Sequence, residues 1–311
     1  MSERVLRVGA RTSRLARVQA AAVIAALRDH NGLVCELVGI TTSGDHSADV
    51  PFSASGGTGV FTREIEQALR DGAIDIAVHS LKDLETEDAE GLVLGAVLPR
   101  EDPRDALLIG PRTSGQSLAT LPEGTRIGTA SLRRRALILR QRPDLRVLPI
   151  RGNVPTRVKK LEAGEFEAIV LAVAGLNRLG LDGSITEFLS PDEFPPAPGQ
   201  GAVAVQVRDD DTTVERVVAG IEHFATRIAV ATERAFLRKI EGGCQVPAGA
   251  MASVADGAVQ IDAMVCSPDG SQAIRVTAGG PVAHAVVVGE QAAERALRDG
   301  ADRILEGVRG G

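Results

Sequence analysis

Two distant segments of this chain follow one plan, and that repetition narrows the fold more than any other feature. Val8-Gly9-Ala10-Arg11-Thr12-Ser13-Arg14 and Ile127-Gly128-Thr129-Ala130-Ser131-Leu132-Arg133-Arg134 each read as a strand end, a glycine, a short polar turn and an arginine-bearing helix. Ser13 and Ser131 stand where an N-cap is wanted, because a hydroxyl there accepts from the open N–H groups of the first turn. A strand that feeds a helix in this way aims those N–H groups and the positive end of the helix dipole at one point, which suits a carboxylate or phosphate. Two such units imply two similar α/β domains. If their helix starts face one another across a cleft, they converge on one anionic ligand, as in two-lobed binding proteins.

The remaining pattern fits this plan. Strands are expected over residues 5–9, 34–40, 74–78, 92–98 and 106–109, with helices over 14–29 and 62–71. The pattern restarts with strands over 126–129, 145–150 and 168–173. The Pro-punctuated stretch 99–104 reads as a domain boundary, and the Pro-rich stretch 189–200 as a hinge or return strap. A strand at 202–207 comes after the second set is complete and is expected to rejoin the first sheet. Beyond residue 211, two helical stretches, strands over 249–254, 259–266 and 273–278, and a final helix over 289–306 read as a small antiparallel α+β domain. The expected class is therefore α/β, with two similar periplasmic-binding-protein-like domains around a cleft and a small C-terminal α+β domain. Their expected bounds are 1–100 with 199–217, 104–195, and 220–311.

Composition supports layers of helix and sheet. Hydrophobic residues make up 44% of the chain, but there are seven Phe and no Trp or Tyr, so the cores must be packed with Val, Leu, Ile and Ala. That favours α/β layers over an aromatic-rich sandwich. The cysteines, Cys35, Cys244 and Cys266, are odd in number and show no paired spacing, which argues against a disulfide framework and for a reducing compartment. The histidines are scattered, and no zinc spacing occurs. No signal-like run opens the chain and no stretch approaches the ~20 apolar residues of a membrane span, so a cytoplasmic protein without a membrane partner is expected.

The net charge of −6 hides a lopsided distribution. Between Ser131 and Lys160 the one acid is Asp144, set against Arg133, Arg134, Arg135, Arg140, Arg142, Arg146, Arg151, Arg157, Lys159 and Lys160. Such an excess suits a polyanion. Nucleic acid is disfavoured, because no aromatic residue stands among these cations to stack on bases.

Three stretches are candidates for chemistry. His79-Ser80-Leu81-Lys82-Asp83 falls at the carboxyl end of an expected strand, the edge at which open α/β sheets bind ligands. There Asp83 can serve as a general acid and Lys82 as an anion clamp, the alternative being a solvated turn. Arg151 and Arg157 bracket Gly152-Asn153-Val154-Pro155-Thr156 at another strand-to-helix turn, with guanidiniums able to grip carboxylates in bidentate fashion. In Glu241-Gly242-Gly243-Cys244-Gln245-Val246-Pro247 the glycine pair stops a helix and leaves Cys244 on a loop. A thiol so placed can carry a covalent attachment, the alternative being a small buried hydrophobe.

Together these segments resemble the porphobilinogen deaminases, also called hydroxymethylbilane synthases, over nearly the whole chain. The resemblance is carried by Val78-His79-Ser80-Leu81-Lys82-Asp83, Gly128-Thr129-Ala130-Ser131-Leu132-Arg133-Arg134, Arg151-Gly152-Asn153-Val154, Leu171-Ala172-Val173-Ala174-Gly175-Leu176, Pro198-Gly199-Gln200-Gly201 and the Cys244 segment. It implies a monomeric three-domain transferase whose Cys244 holds a dipyrromethane, made from substrate, through a thioether. Four porphobilinogen molecules are then added head to tail with loss of ammonia, and hydrolysis releases linear hydroxymethylbilane. It further implies that Asp83 is catalytic, and that Lys82, Thr129, Ser131, Arg133 and Arg134 lie by the cofactor. Arg11, Ser13, Arg151, Arg157, Arg178 and Gln200 are implied on the substrate side. No metal is implied. This chain departs from the common pattern at Ala54 and Thr58, where relatives often carry lysines in the 53–60 loop, at Glu85 where proline is usual, and at Pro155 where relatives vary. The competing reading is a non-catalytic two-lobed binding protein for a small anion, in which Cys244 is idle.

Overall fold

The computed structural model describes residues 5–43, 62–240 and 246–309. Cys244 and the 53–60 loop lie outside them. In chain order the elements are β1 (Leu6–Arg11), α1 (Arg14–Asn31), β2 (Cys35–Ile40), α2 (Arg63–Arg70), β3 (Ile76–Ser80), β4 (Leu92–Val97), β5 (Asp105–Ile109), β6 (Arg126–Gly128), α3 (Leu132–Gln141), β7 (Arg146–Leu148), α4 (Val154–Glu162), β8 (Ala168–Ala172), α5 (Val173–Leu179) and β9 (Glu187–Phe188). They continue with β10 (Val203–Arg208), α6 (Thr212–Ala219), α7 (Phe224–Lys239), β11 (Ala248–Ala255), β12 (Ala258–Cys266), β13 (Ala273–Pro281), α8 (Ala285–Ala296) and α9 (Asp302–Arg309). Two compact units result, one from residues 1–101 with 201–227 and one from 102–200 with 228–311.

The first unit is built on a five-stranded sheet in the order β2-β1-β3-β10-β4. β1 runs parallel to β2 and β3, while β10 runs antiparallel to β3 and β4. Its middle strands are apolar on both faces because helices cover both. Leu6, Val8, Ile76, Val78, Val203 and Val205 pack with Ala20, Val23 and Leu27 of α1, whereas Ile74, Ala77 and Leu92 pack with Ile65 and Leu69 of α2. The strand expected over 74–78 begins two residues later, because the N–H groups of Ala73 and Ile74 are spent closing the end of α2 on the Ala68 carbonyl. His79 and Ser80 consequently belong to the strand.

The second unit repeats this plan. Its sheet runs β7-β6-β8-β5-β9, with β6 parallel to β7 and β8 and with β5 antiparallel to β8 and β9. In both sheets the fourth strand is reversed, so its first residues lie at the carboxyl ends of the parallel strands. In the second unit Asp105 opens that strand, opposite Ala172.

The same unit contains the antiparallel meander β11-β12-β13, covered by α7, α8 and α9 around Phe236, Ile261, Val265, Val288 and Leu305. The final helix is not continuous. Gly300 at φ 110° turns the chain between α8 and α9, a conformation open to a residue without a Cβ. Met264 and Cys266 of β12 enter the core under α3, and the Pro195–Pro196 strap lies along the outer edge of β11. Gly249 allows that approach, since a Cβ there would fall on the Pro195 carbonyl oxygen and press on the Arg133 stem. Gly249→Ala is expected to cost about 1–3 kcal/mol in unfolding free energy through overpacking. Denaturant unfolding reads this directly, and a wild-type midpoint would mean that the strap yields.

Candidate functional site

Each unit gathers its polar groups at the carboxyl edge of its parallel strands. In the first unit β1 and β3 are neighbours, so their ends lie side by side although Arg11 and Asp83 are far apart in sequence. β1 ends at Arg11, and the chain turns through Ser13, whose hydroxyl accepts from the Ala16 N–H at 3.3 Å and caps α1. β3 ends at Ser80 and passes into a single 3-10 turn, Leu81–Asp83, pinned where the Leu81 N–H donates to the Ala202 carbonyl at 3.0 Å. Arg11, Ser13, Gln19, Thr62, His79, Ser80 and Asp83 line one small open pocket. An acid, a guanidinium and a helix N-terminus therefore share one space. Lys82 is half-buried in the same turn but does not line the pocket.

The floor of that pocket is held in place. Gln19 donates to the Ser80 hydroxyl at 2.9 Å, tying α1 to the end of β3. His79 is buried, and desolvation pushes its imidazole down to about 4, only partly offset by a hydrogen bond with Gln206. It is neutral near pH 7. Glu66, on the helix behind it, is raised by desolvation despite the Gln206 amide and Arg70.

In the second unit Ser131 caps α3, accepting from the Arg134 N–H at 3.3 Å, while the Thr129 hydroxyl accepts from the Ser131 N–H at 3.2 Å. The first turn of α3 sends Arg133 and Arg134 inward, where they are 4% and 6% exposed. Both meet Asp105. Arg133 contacts Oδ2 at 2.7 Å and Arg134 contacts Oδ1 at 2.7 Å, and Asp105 itself is fully buried. Burial opposes the ionised carboxylate, but the two guanidiniums outweigh it and hold Asp105 well below the usual carboxylate range. Gln200 completes the cluster, donating from Nε2 to Asp105 at 2.9 Å and to the Pro103 carbonyl at 2.7 Å. Two cations on one anion leave a positive excess in a dry place.

The other expected cations lie on the turns and helices that follow β7 and β8, outside this cluster. Asn153 caps α4 by accepting from the Thr156 N–H at 3.0 Å, and Arg157 Nε donates to the Gly152 carbonyl at 2.7 Å. Arg151 lies half-buried just before that turn, and Arg178 half-buried in the last turn of α5. Of the expected residues, the structure brings together Arg11, Ser13 and Asp83 in the first unit and Arg133, Arg134 and Gln200 in the second. The sequence pattern does not single out Asp105. The one sequence signal for it was its place at the head of an apolar run, directly after a Pro-bounded polar stretch.

Buried neutral histidine has a consequence for stability. Below the ordinary imidazole value of 6.5 the unfolded chain takes up a proton at His79, whereas the folded chain resists until about 4. The unfolded state then binds more protons, so stability is full above 6.5 and falls as the pH drops toward 4. The contribution is about 3 kcal/mol. His79→Gln is expected to have a shallower loss over that window, measured as urea midpoints against pH.

The chain is similar to known proteins over nearly its whole length. A family model described as "Porphobilinogen deaminase, dipyromethane cofactor binding domain" matches residues 6–216, and one described as "Porphobilinogen deaminase, C-terminal domain" matches residues 227–298. Among curated relatives, a porphobilinogen deaminase of Syntrophotalea carbinolica is 49% identical over 98% of this chain and 96% of its own length. One of Moorella thermoacetica is 48% identical over 98% and 96%, and one of Syntrophobacter fumaroxidans 43% identical over 99% of each. Among solved structures, a periplasmic substrate-binding protein from Coxiella burnetii aligns with 74% of this chain and 97% of its own at 14% identity and a TM-score of 0.45.

Proposed function

The chain belongs to the porphobilinogen deaminase family, and from that premise we propose that Asp83 is the proton donor of the reaction and Cys244 the point of cofactor attachment. The activity is that of a transferase, hydroxymethylbilane synthase. It condenses four porphobilinogen molecules head to tail with loss of ammonia and releases the linear tetrapyrrole by hydrolysis. A non-catalytic anion-binding protein is not favoured, because the match continues through residues 227–298, beyond the two sheet-and-helix lobes.

The observation that carries the assignment of Asp83 is its position in one pocket with Arg11 and the capped start of α1. Departure of the amine from porphobilinogen needs a proton and leaves positive charge on the pyrrole nitrogen. Asp83 can give the proton and then, as a carboxylate, stabilise that cation. Arg11 and the N–H groups at Ser13 suit the acetate and propionate arms of the pyrrole. The turn fixed by Leu81 on Ala202 and the Gln19–Ser80 bond keeps the acid from drifting.

The cofactor is a dipyrromethane, which when bound supplies the free pyrrole position that is extended. The donor set of the second unit fits such a group. Arg133 and Arg134 carry one charge more than Asp105 neutralises, and Thr129 and Ser131 stand at the N-terminus of α3 beside them. We assign these four, with Lys82, to its carboxylates, and Arg151, Arg157 and Arg178 to those of the growing chain; Gln200, expected on the substrate side, is buried with its amide on Asp105 and the Pro103 carbonyl and acts through that cluster instead. The role of the 53–60 loop in capture, without the lysines common in relatives, is left to Arg11 and Ser13 in this reading. No helix among the described residues is long and apolar enough to cross a membrane, and a monomer working in the cytoplasm is part of the proposal.

Intact mass of the purified, denatured protein beside Cys244→Ser tests the attachment. A two-pyrrole adduct is expected on the first and not on the second, and an adduct that survives in Cys244→Ser would place it elsewhere. Asp83→Asn should retain the adduct and lose about 100-fold or more in turnover. Near-normal turnover in that variant would remove Asp83 from the chemistry.

A further inference from the structure

Glu233 is fully buried at mid-length of α7, and none of the roles above uses it. Its carboxylate lies between two backbones. Oε2 accepts from the Gly199 N–H at 2.8 Å and Oε1 from the Ala252 N–H at 2.8 Å. The reason lies in how the strap meets β11. One step earlier the two run as partners, with the Ala250 N–H donating to the Pro196 carbonyl at 2.9 Å. The strap then turns, its Gln200 N–H closing on the Ala197 carbonyl at 2.9 Å and Gly199 adopting φ 75°. A donor now faces the donor of Ala252, and an acceptor with two oxygens must intervene.

What this strap carries is the anion-holding cluster. Arg133 donates to the Pro195 carbonyl at 2.8 Å, and the Gln200 side chain reaches the Asp105 oxygen that Arg134 also holds. From Glu233 the helix continues to Lys239, and the sequence then reaches Cys244 within five residues. Glu233 therefore joins three things: the helix that leads to Cys244, the edge of the C-terminal sheet, and the strap that sets Gln200 and Arg133 about Asp105.

We propose that Glu233 is a positioning residue for tetrapyrrole assembly, fixing the register of the 195–200 strap and so the placement of Arg133 and Arg134 toward the carboxylates of the cofactor onto which porphobilinogen is added. The inference rests on the function proposed above. In Glu233→Gln one oxygen is replaced by an NH2 donor that cannot accept from either N–H, at nearly unchanged volume. Either the Gly199 or the Ala252 N–H then loses its acceptor, so the link that Glu233 makes between strap and β11 is broken while the core stays filled.

The test compares wild-type holoenzyme, Glu233→Gln and Glu233→Asp by thermal melting, by steady-state kinetics with porphobilinogen, and by intact mass after brief exposure to porphobilinogen. A purely structural role would lower the melting temperature and the active fraction, leaving KM and the pattern of pyrrole adducts unchanged. The expected result is a KM raised about tenfold or more in folded Glu233→Gln, with adducts shifted toward the shorter chains. Wild-type KM and adduct pattern in that variant overturn the positioning role, whatever its melting temperature. Should Glu233→Gln fail to fold, Glu233→Asp, which reaches one N–H but not both, is judged by the same two readouts. Failure of both to fold makes Glu233 a folding residue and also overturns the proposal. A wild-type protein with no adduct and no consumption of porphobilinogen would instead sink the functional reading itself.

Discussion

A carboxylate without solvent stays ionised only when opposite charge is held against it, and Asp105 has two guanidiniums within 2.7 Å. Much of the second unit follows from satisfying this cluster. The reversal of β5 delivers Asp105 to the carboxyl edge of the sheet, and the cap at Ser131 fixes the turn of α3 from which Arg133 and Arg134 project. The strap supplies the Pro195 carbonyl to one arginine and the Gln200 amide to the shared acid. Removing a member would leave a charge buried without its partner, which costs far more than the pair contributes when whole. The cluster is thus a constraint on the fold as much as a proposed binding device.

The two units solve one geometric problem in one way. A parallel pair of strands brings residues distant in sequence to one edge, and the helix that follows each strand turns its N–H groups toward that edge. In the first unit this places Asp83 beside Arg11, and in the second it places Thr129 and Ser131 beside the arginine pair. Asp83, the acid proposed for the reaction, and the larger store of positive charge are therefore products of the same topology with different residues at its tips.

What could be read in the sequence was whatever has a local pattern. The strand-glycine-turn-helix repeat gave both lobes, and Ser13 and Ser131 were visible as caps because capping needs a particular residue at a particular place. Asp83, Arg11 and Arg151 were visible because they end or follow apolar strands. Asp105 and Glu233 were not, since a lone acid has no signature when its partners lie 19 to 95 residues away. Nor was α5, whose first residues Val173-Ala174-Gly175-Leu176 continue an apolar strand without a capping side chain. The break at Gly300 was hidden for a related reason: a single glycine in a helical pattern is tolerated as often as it ends the helix.

A chain with net charge −6 that handles a carboxylate-rich product must keep its cations from being neutralised by its own acids or by salt. Surface pairs such as Arg28–Asp29 cannot do this, because water and ions screen them. Arg133 and Arg134 can. They are held where water does not reach, one acid is counted against both, and Gln200 takes up part of that acid's remaining hydrogen-bonding capacity without cancelling charge. An excess kept in low dielectric acts on a nearby carboxylate more strongly than the same charge in water. The overall acidity of the protein and the attraction of its site for acids are for that reason compatible, since one is a sum over the surface and the other a local field set by burial.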